Sequence, residues 1–476
     1  MVAASDKVRV AIFGTHPQQF NGYSKVLYEL TKAVVASERA KDFDLHIFGF
    51  QKFHNHPGHR LDVPPEVTVY DAFAKEDPKA QGFGVAQAKA YVEEVKPDVV
   101  IVFNDLMVLT SVVNELKDAA NRKDFKLLAY IDQVYLSQRK AFIDHVNQYC
   151  DGAIAFTPHW KDCIEWQGLK LKTYVLDHGI NPKTYFPVPK KLARRFYGVS
   201  ESDFLILNLN RNQPRKRWDT CMQAFAEVVA RRPEAPIKLV IATQIQGAWD
   251  LIELLRRELK KRNVENADEV AMQRIVIPGH PQQLTDEETN ILLNIADVGI
   301  NTCDGEGFGL CNFEQAAIGI PQVVPHLGGF LHFFKNEDTA LMVNPVTSIY
   351  IDATRDGVGG EALLSKSSDF ADALLRYYDD EALRTRIGKS GREHILDKFQ
   401  WTRVAQDFCA IIDDVFPLSN KAVSVSVSEP EPTVSVENDD LSMASFAQGQ
   451  DDKEDEIKKL KAQISMLTAA VEKLQA

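Results

Sequence analysis

The chain of 476 residues contains no apolar run approaching the about 18 residues that a membrane-spanning helix needs. Its N-terminus, MVAASDKVRVAIFGT, lacks the charged start and extended apolar stretch of a secretory signal. Cysteine is scarce: Cys150, Cys163, Cys221, Cys303, Cys311 and Cys409, with no CxxC pair. That spacing excludes a disulfide framework and predicts reduced, mostly buried thiols. Positive charge is not in excess either. Lys+Arg 55 against Asp+Glu 67 gives −12, which argues against a nucleic-acid or anionic-membrane binder. An anionic ligand would have to be held by a local cluster of cations. What the chain does have is 45% hydrophobic residues, enough for two or three domains with substantial cores. A soluble, cytoplasmic protein is expected.

Short apolar runs alternate with helical patterns. Val8 to Phe13 leads, followed by Gly14, the polar loop HPQQFNGYSK, and a helix through Val26, Leu27, Leu30 and Val34. Further strands are predicted at 44–50, 67–70, 98–103, 126–131, 152–156 and 173–177. A proline-bearing, charged stretch near 187–200 suits a linker. The alternation then restarts at 204–210, 238–243, 274–279, 298–302 and 322–326. Such alternation predicts parallel βαβ units, so the expected fold class is α/β, with two Rossmann-type domains over residues 1–190 and 196–400 facing a cleft. Ligands of these sheets bind at the carboxyl ends of the strands.

The remainder differs in kind. Residues 401–416 read as an amphipathic helix that closes the globular part. Residues 417–450, with SVSVSEPEPTVSVENDD at their centre, read as a disordered linker; the valine alternation also suits a short edge strand. In 451–476 a heptad places Ile457, Ile464 and Val471 at a, and Leu460, Leu467 and Leu474 at d. That choice favours a parallel two-stranded coiled coil, hence a homo-oligomer, with a dimer favoured, through residues 454–476. An amphipathic helix docking on its own globular body is the alternative.

Two segments carry chemistry. In GEGFGLCNFEQAAIGIPQVVPHLGGF (305–330) a strand enters a glycine-rich turn and a helix begins near Cys311 or Asn312. Gly305, Gly307 and Gly309 let backbone amides approach a ligand, and the helix start favours an anion. Glu306 and Glu314 bracket the turn with seven residues between them. Their carboxylates suit vicinal hydroxyls of a sugar or ribose, although each alone also suits a solvated loop acid or a favoured first-turn acid. The second segment, NLNRNQPRKRWDTCMQAF (208–225), holds Arg211, Arg215, Lys216 and Arg217 just after a leading strand. Four cations within seven residues suit a phosphate clamp, and equally a solvated basic face.

These residues resemble the retaining GT-B glycosyltransferases of the glycogen-synthase-like E-x7-E group (glycosyl transferases group 1). GEGFGLCNFE supplies E-x7-E, AAIGIPQVVPHLGGF the following helix, G-x-P turn, strand and Gly-Gly turn, and Arg211 with Lys216 the basic spacing. Arg217 stands where the family has glycine. LDHGINPKTYFPV (176–188) is similar to another family segment with His178 in place of asparagine, and NGYSKVLYEL (21–30) to the first glycine turn, with Gly22 alone where two glycines are common.

The resemblance implies roles. Glu314 would bind the donor ribose and Glu306 the transferred sugar, while Arg211 and Lys216 would neutralise the departing diphosphate. Backbone near Phe308, Gly309, Leu310, Gly328 and Gly329 would touch phosphate or sugar, as would Gly22 from the first domain; His16, beside the first strand, suits either a donor contact or a loop histidine with no role. The implied reaction is retaining hexosyl transfer from a UDP- or GDP-sugar to a hydroxyl of a glycan, protein glycan or small molecule, with no metal or other cofactor. Many relatives carry a catalytic histidine after the fifth strand; here AYIDQVYL offers Asp132, for acceptor orientation or as a plain turn residue. Asn104 and Asp105 end another strand on the same side. A sugar phosphorylase or nucleotide-sugar epimerase on the same fold is a second enzymatic reading. An oligomeric nucleotide-sugar-binding scaffold with a degenerate site is the non-enzymatic one.

Overall fold

The structure is a computed structural model and describes residues 7–53, 59–77, 81–278, 284–351 and 359–420. Among the described residues, thirteen strands form two parallel sheets. The first contains β1 (Val8–Thr15), β2 (Phe43–Phe50), β3 (Val67–Asp71), β4 (Val99–Asp105), β5 (Lys126–Asp132), β6 (Gly152–Ala155) and β7 (Thr173–Val175), in the order β3-β2-β1-β4-β5-β6-β7. The second contains β8 (Phe204–Asn208), β9 (Ile237–Ile241), β10 (Ile275–Val276), β11 (Val298–Ile300), β12 (Gln322–Pro325) and β13 (Leu341–Val343), in the order β10-β9-β8-β11-β12-β13. Their near-continuous apolar sequences follow from burial of both sheet faces under helices. Phe13, Val100, Val102, Leu109 and Val112 anchor the first core, and Trp218, Phe225, Leu239, Leu255 and Phe370 the second.

In each sheet the strand order reverses beside its leading strand, between β1 and β4 and between β8 and β11. A crevice opens at the carboxyl end of such a switch point. The loops that leave β1, β4, β8 and β11 therefore converge there. They carry residues 16–21, the start of helix Leu106–Leu116, residues 209–217 and residues 301–309.

Several strands stop sooner than the sequence suggests. The runs at 204–210 and 298–302 leave the sheet at Asn208 and Ile300. Asparagine side chains take over the bonding beyond these points: Asn210 donates to the Asn208 side chain at 2.7 Å, and Asn301 to Asn312 at 2.9 Å. Such local side-chain partners compete with the strand ladder. The run at 274–279 contributes only Ile275–Val276, and residue 279 lies outside the described residues.

Helix Trp401–Val415 returns to the first domain. Asp413 accepts both terminal guanidinium nitrogens of Arg39 at 2.9 Å, and Asp414 pairs with Lys172 at 2.6 Å. Its apolar face, including Trp401, Phe408 and Ile412, is buried. An antiparallel hairpin, β14 (Pro345–Ile351) and β15 (Gly360–Ser365), is separate from both sheets. The expected linker beyond Asn420 and the coiled coil at 451–476 lie outside the described residues.

Candidate active site

The basic segment forms a short 3-10 turn, Pro214–Lys216, between β8 and helix Trp218–Arg231. Arg217 ends it with φ 47°, the left-handed backbone that glycine adopts with least strain. The turn that a glycine favours is thus kept by an arginine, whose guanidinium is tied to Asp219 at 2.8 and 2.7 Å. Arg211 is exposed to solvent although protein surrounds it on most sides. That surrounding protein, and then the charge of Arg215, push its guanidinium below the ordinary arginine range.

The glycine-rich turn meets this segment. Lys216 donates to Glu306 Oε2, and Arg215 Nη1 lies 3.3 Å from Glu306 Oε1 and 2.8 Å from the Gly305 carbonyl oxygen. Burial alone would raise the Glu306 carboxyl, but Lys216 and Arg215 overcome it and hold the group down to about 2. Glu306 is therefore charged throughout the neutral range. Gly309, with φ 99°, turns the chain into helix Leu310–Ala317, which begins slightly before the Cys311 or Asn312 expected from sequence. Phe308 packs on His178, ring centroids 4.4 Å apart, and on Phe313 at 5.2 Å. The Gly328–Gly329 turn supports the loop from behind, with the Gly329 amide donating to the Glu306 carbonyl at 3.0 Å.

Glu314 lies on the fifth residue of that helix and is buried. Lys25, from helix Gly22–Val35 of the first domain, donates to Glu314 Oε1 at 2.6 Å and lies 3.4 Å from Asp286. Burial raises the Glu314 carboxyl and the Lys25 charge opposes that rise. Gly22 sits close to Leu310, so the starts of the two helices face each other across the domain boundary.

Asp132 ends β5 and reaches the second domain. A side-chain carbon on Gly307 would fall within 1.9 Å of Asp132 Oδ1, so only glycine leaves room there. Tyr23 donates to Asp132 Oδ2 at 2.5 Å, whereas Oδ1 is buried and has no hydrogen-bond partner among the described residues. Burial raises this carboxyl to about 6; Tyr23 and Arg215 oppose the rise, and Asp105 and Glu306 add to it.

The structure thus gathers Glu306, Lys216, Asp132, Gly307, Phe308 and Gly309 into one region, with Arg211 beside Arg215 and Glu314 linked through Lys25 to Gly22's helix. His16 stands apart. It is buried at the end of β1 against Gly49, its ring Nδ1 accepting from the Gln18 amide at 3.2 Å, and burial followed by the Lys52 charge pushes it down to about 4. Asp105 caps helix Leu106–Leu116 by accepting from Met107 and Val108 at 3.0 Å. Sequence reasoning missed Lys25, Tyr23, Arg60 and Asp286. One cue existed for Lys25: a cation close to a helix start runs against the helix dipole and needs a nearby anion. Among the described residues no group of three or more His, Cys, Asp or Glu is arranged to hold a metal ion. Nor is any described helix long and apolar enough to cross a membrane.

The chain is similar to known proteins in sequence and fold. Residues 189–394 match the model of the family described as glycosyl transferases group 1. The chain is 24% identical over 271 residues to mannosylfructose-phosphate synthase of Agrobacterium fabrum, covering 56% of this chain and 53% of that protein. It is 28% identical over 235 residues to a D-inositol 3-phosphate glycosyltransferase of Kribbella flavida, covering 49% of each. The chain spans about half the length of the curated relatives it matches. Sucrose-phosphate synthase from Thermosynechococcus elongatus has a similar fold, with TM-score 0.64 and 19% identity over 86% of this chain and 99% of that one. So does Anabaena Alr3699/HepE in complex with UDP and glucose, at TM-score 0.60 and 16% identity over 86% of this chain and 100% of that one. Residues 189–394 match the glycosyl transferases group 1 family, and the two parallel-sheet domains have the GT-B fold of these solved structures.

Proposed function

We propose that the protein is a retaining hexosyltransferase that moves a sugar from a UDP- or GDP-sugar to an acceptor hydroxyl. The observation that carries this reading is the meeting of Lys216, Arg215 and Glu306 at a glycine-rich helix start, opposite Asp132. Glu306 accepts hydroxyls of the transferred sugar, and Glu314 those of the ribose. Lys216 and Arg211 face the diphosphate. As the bond from the anomeric carbon to phosphate breaks, the acceptor oxygen forms its bond on the same face. The acceptor's proton passes to the departing phosphate oxygen. Preorganised cations are most valuable where charge develops, so this reading calls for no metal or other cofactor.

Donor binding tests the assignment. Losing a hydrogen bond to a charged group costs about 1.5–3 kcal/mol, so Glu314→Gln should weaken UDP binding about 10- to 100-fold by calorimetry. A dissociation constant within twofold of wild type would place the nucleoside elsewhere.

The acceptor side has a pH signature. Asp132 loses its proton as pH rises through about 6. If the carboxylate orients the acceptor hydroxyl, kcat/KM rises across that range. The Tyr23 hydroxyl donates to the carboxylate and so favours its charged form. Tyr23→Phe should therefore move the acidic limb to higher pH, and Asp132→Asn should abolish it. A limb unchanged in Asp132→Asn belongs to another group.

A further inference from the structure

The hairpin β14–β15 is held by both domains along its second strand. The Glu361 amide donates to the Leu136 carbonyl at 2.8 Å, and the Leu363 amide to the Asp304 carbonyl at 2.9 Å. Leu136 follows Asp132 by four residues and Asp304 precedes Glu306 by two. The hairpin therefore stands directly beside the acceptor end of the site.

Its two faces differ. Ile351 and Ala362 pack inward with Val134 and Tyr135. Tyr350 pairs with Glu361 across the hairpin, so these side chains share the outer face. Tyr350 is 79% exposed. Ser137 donates to Glu361 Oε2 at 3.3 Å from a left-handed backbone, φ 51°. A non-glycine residue in that conformation is strained and marks a place where position matters. A second exposed ring, Trp166, 81% exposed, ends the helix Pro158–Trp166. The next residue, Gln167, accepts from the Gln138 amide, and Gln138 also donates to the Gly359 carbonyl just before β15.

An exposed aromatic ring flanked by a carboxylate and a hydroxyl suits a pyranose: the ring covers the sugar's apolar C–H face, and the polar groups bond its hydroxyls. We propose that Tyr350, Glu361 and Ser137 form a sugar-ring subsite outside the reacting centre, so that the acceptor is an oligosaccharide lying along this face rather than a small molecule. The inference rests on the glycosyl-transfer reading and adds the acceptor class to it.

The test applies the full chain, saturated with UDP, to an array of immobilised neutral oligosaccharides of one to six hexoses. UDP binding is followed separately by thermal shift. Wild type should bind at least one glycan of three or more rings. Tyr350→Ala and Glu361→Gln should each weaken that binding at least tenfold while keeping the wild-type UDP shift. Tyr350→Phe, which retains the ring, should bind as wild type does. Absence of any glycan binding by wild type, or equal binding by Tyr350→Ala, overturns the subsite; a missing UDP shift in wild type would instead overturn the glycosyl-transfer reading. Flotation of wild type but not Tyr350→Ala with phosphatidylcholine–phosphatidylglycerol vesicles, with glycan binding unchanged, would make this face a membrane contact and also overturn it.

Discussion

Lys216→Ala is expected to lower kcat about 100- to 1,000-fold, the range seen when one preorganised donor to a developing anion is removed, while the chain keeps its fold. Lys216 is half-buried at the end of a short turn, and its ammonium faces Glu306 rather than a core. In the ligand-free protein it balances Glu306 together with Arg215. On the proposed reading, the same ammonium would lie beside the negative charge that grows as the diphosphate departs. Arg215 remains after the substitution and keeps Glu306 charged, so sugar binding should suffer less than turnover. The expected pattern is a large fall in kcat with a smaller change in donor KM, read from initial rates of nucleotide release. A kcat within threefold of wild type would remove Lys216 from the chemistry.

What could be read from sequence was local. Glu306, Glu314 and the basic turn are each set by a strand, a turn and a helix start within a few residues, and such patterns survive in one dimension. The doubly wound sheets were legible for the same reason, because parallel strands buried on both faces are short apolar runs. The contacts between domains were not. Lys25 and Glu314 lie 289 residues apart and Arg60 and Asp286 226, and only docking of two folded sheets brings them together. Asp286 in sequence looks like an ordinary helix-start acid, a sufficient account until Arg60 is seen beside it. The hairpin escaped because nearly every residue of β14 is exposed, leaving no buried alternation to signal a strand.

The largest stability effect is expected at this interdomain pair. Arg60 donates to Asp286 through Nε at 2.8 Å and Nη2 at 3.0 Å, and its Nη1 donates to the carbonyls of Pro17 and Gln19 and to Ser24 Oγ. His59 Nε2 lies 3.3 Å and Lys25 Nζ 3.4 Å from the same carboxylate. Both Arg60 and Asp286 are buried. Burial alone would raise the Asp286 carboxyl, yet Lys25, His59 and Arg60 hold it far below the ordinary range. Removing one partner of such a pair leaves an uncompensated buried charge, at a cost of about 3–5 kcal/mol. Asp286→Ala should therefore lower the unfolding free energy by about that much in urea titration. Replacing both partners, Asp286→Leu with Arg60→Met, should recover much of the loss, since an apolar pair carries no desolvated charge. The pH dependence has a definite sign. A carboxyl depressed by folding contributes fully above its unfolded value of about 4 and loses that contribution as pH falls below it. The difference in stability between wild type and Asp286→Ala should thus be constant at neutral pH and shrink below about pH 4. Equal stability of the two proteins at pH 7 would show that the domains are held together without this clasp.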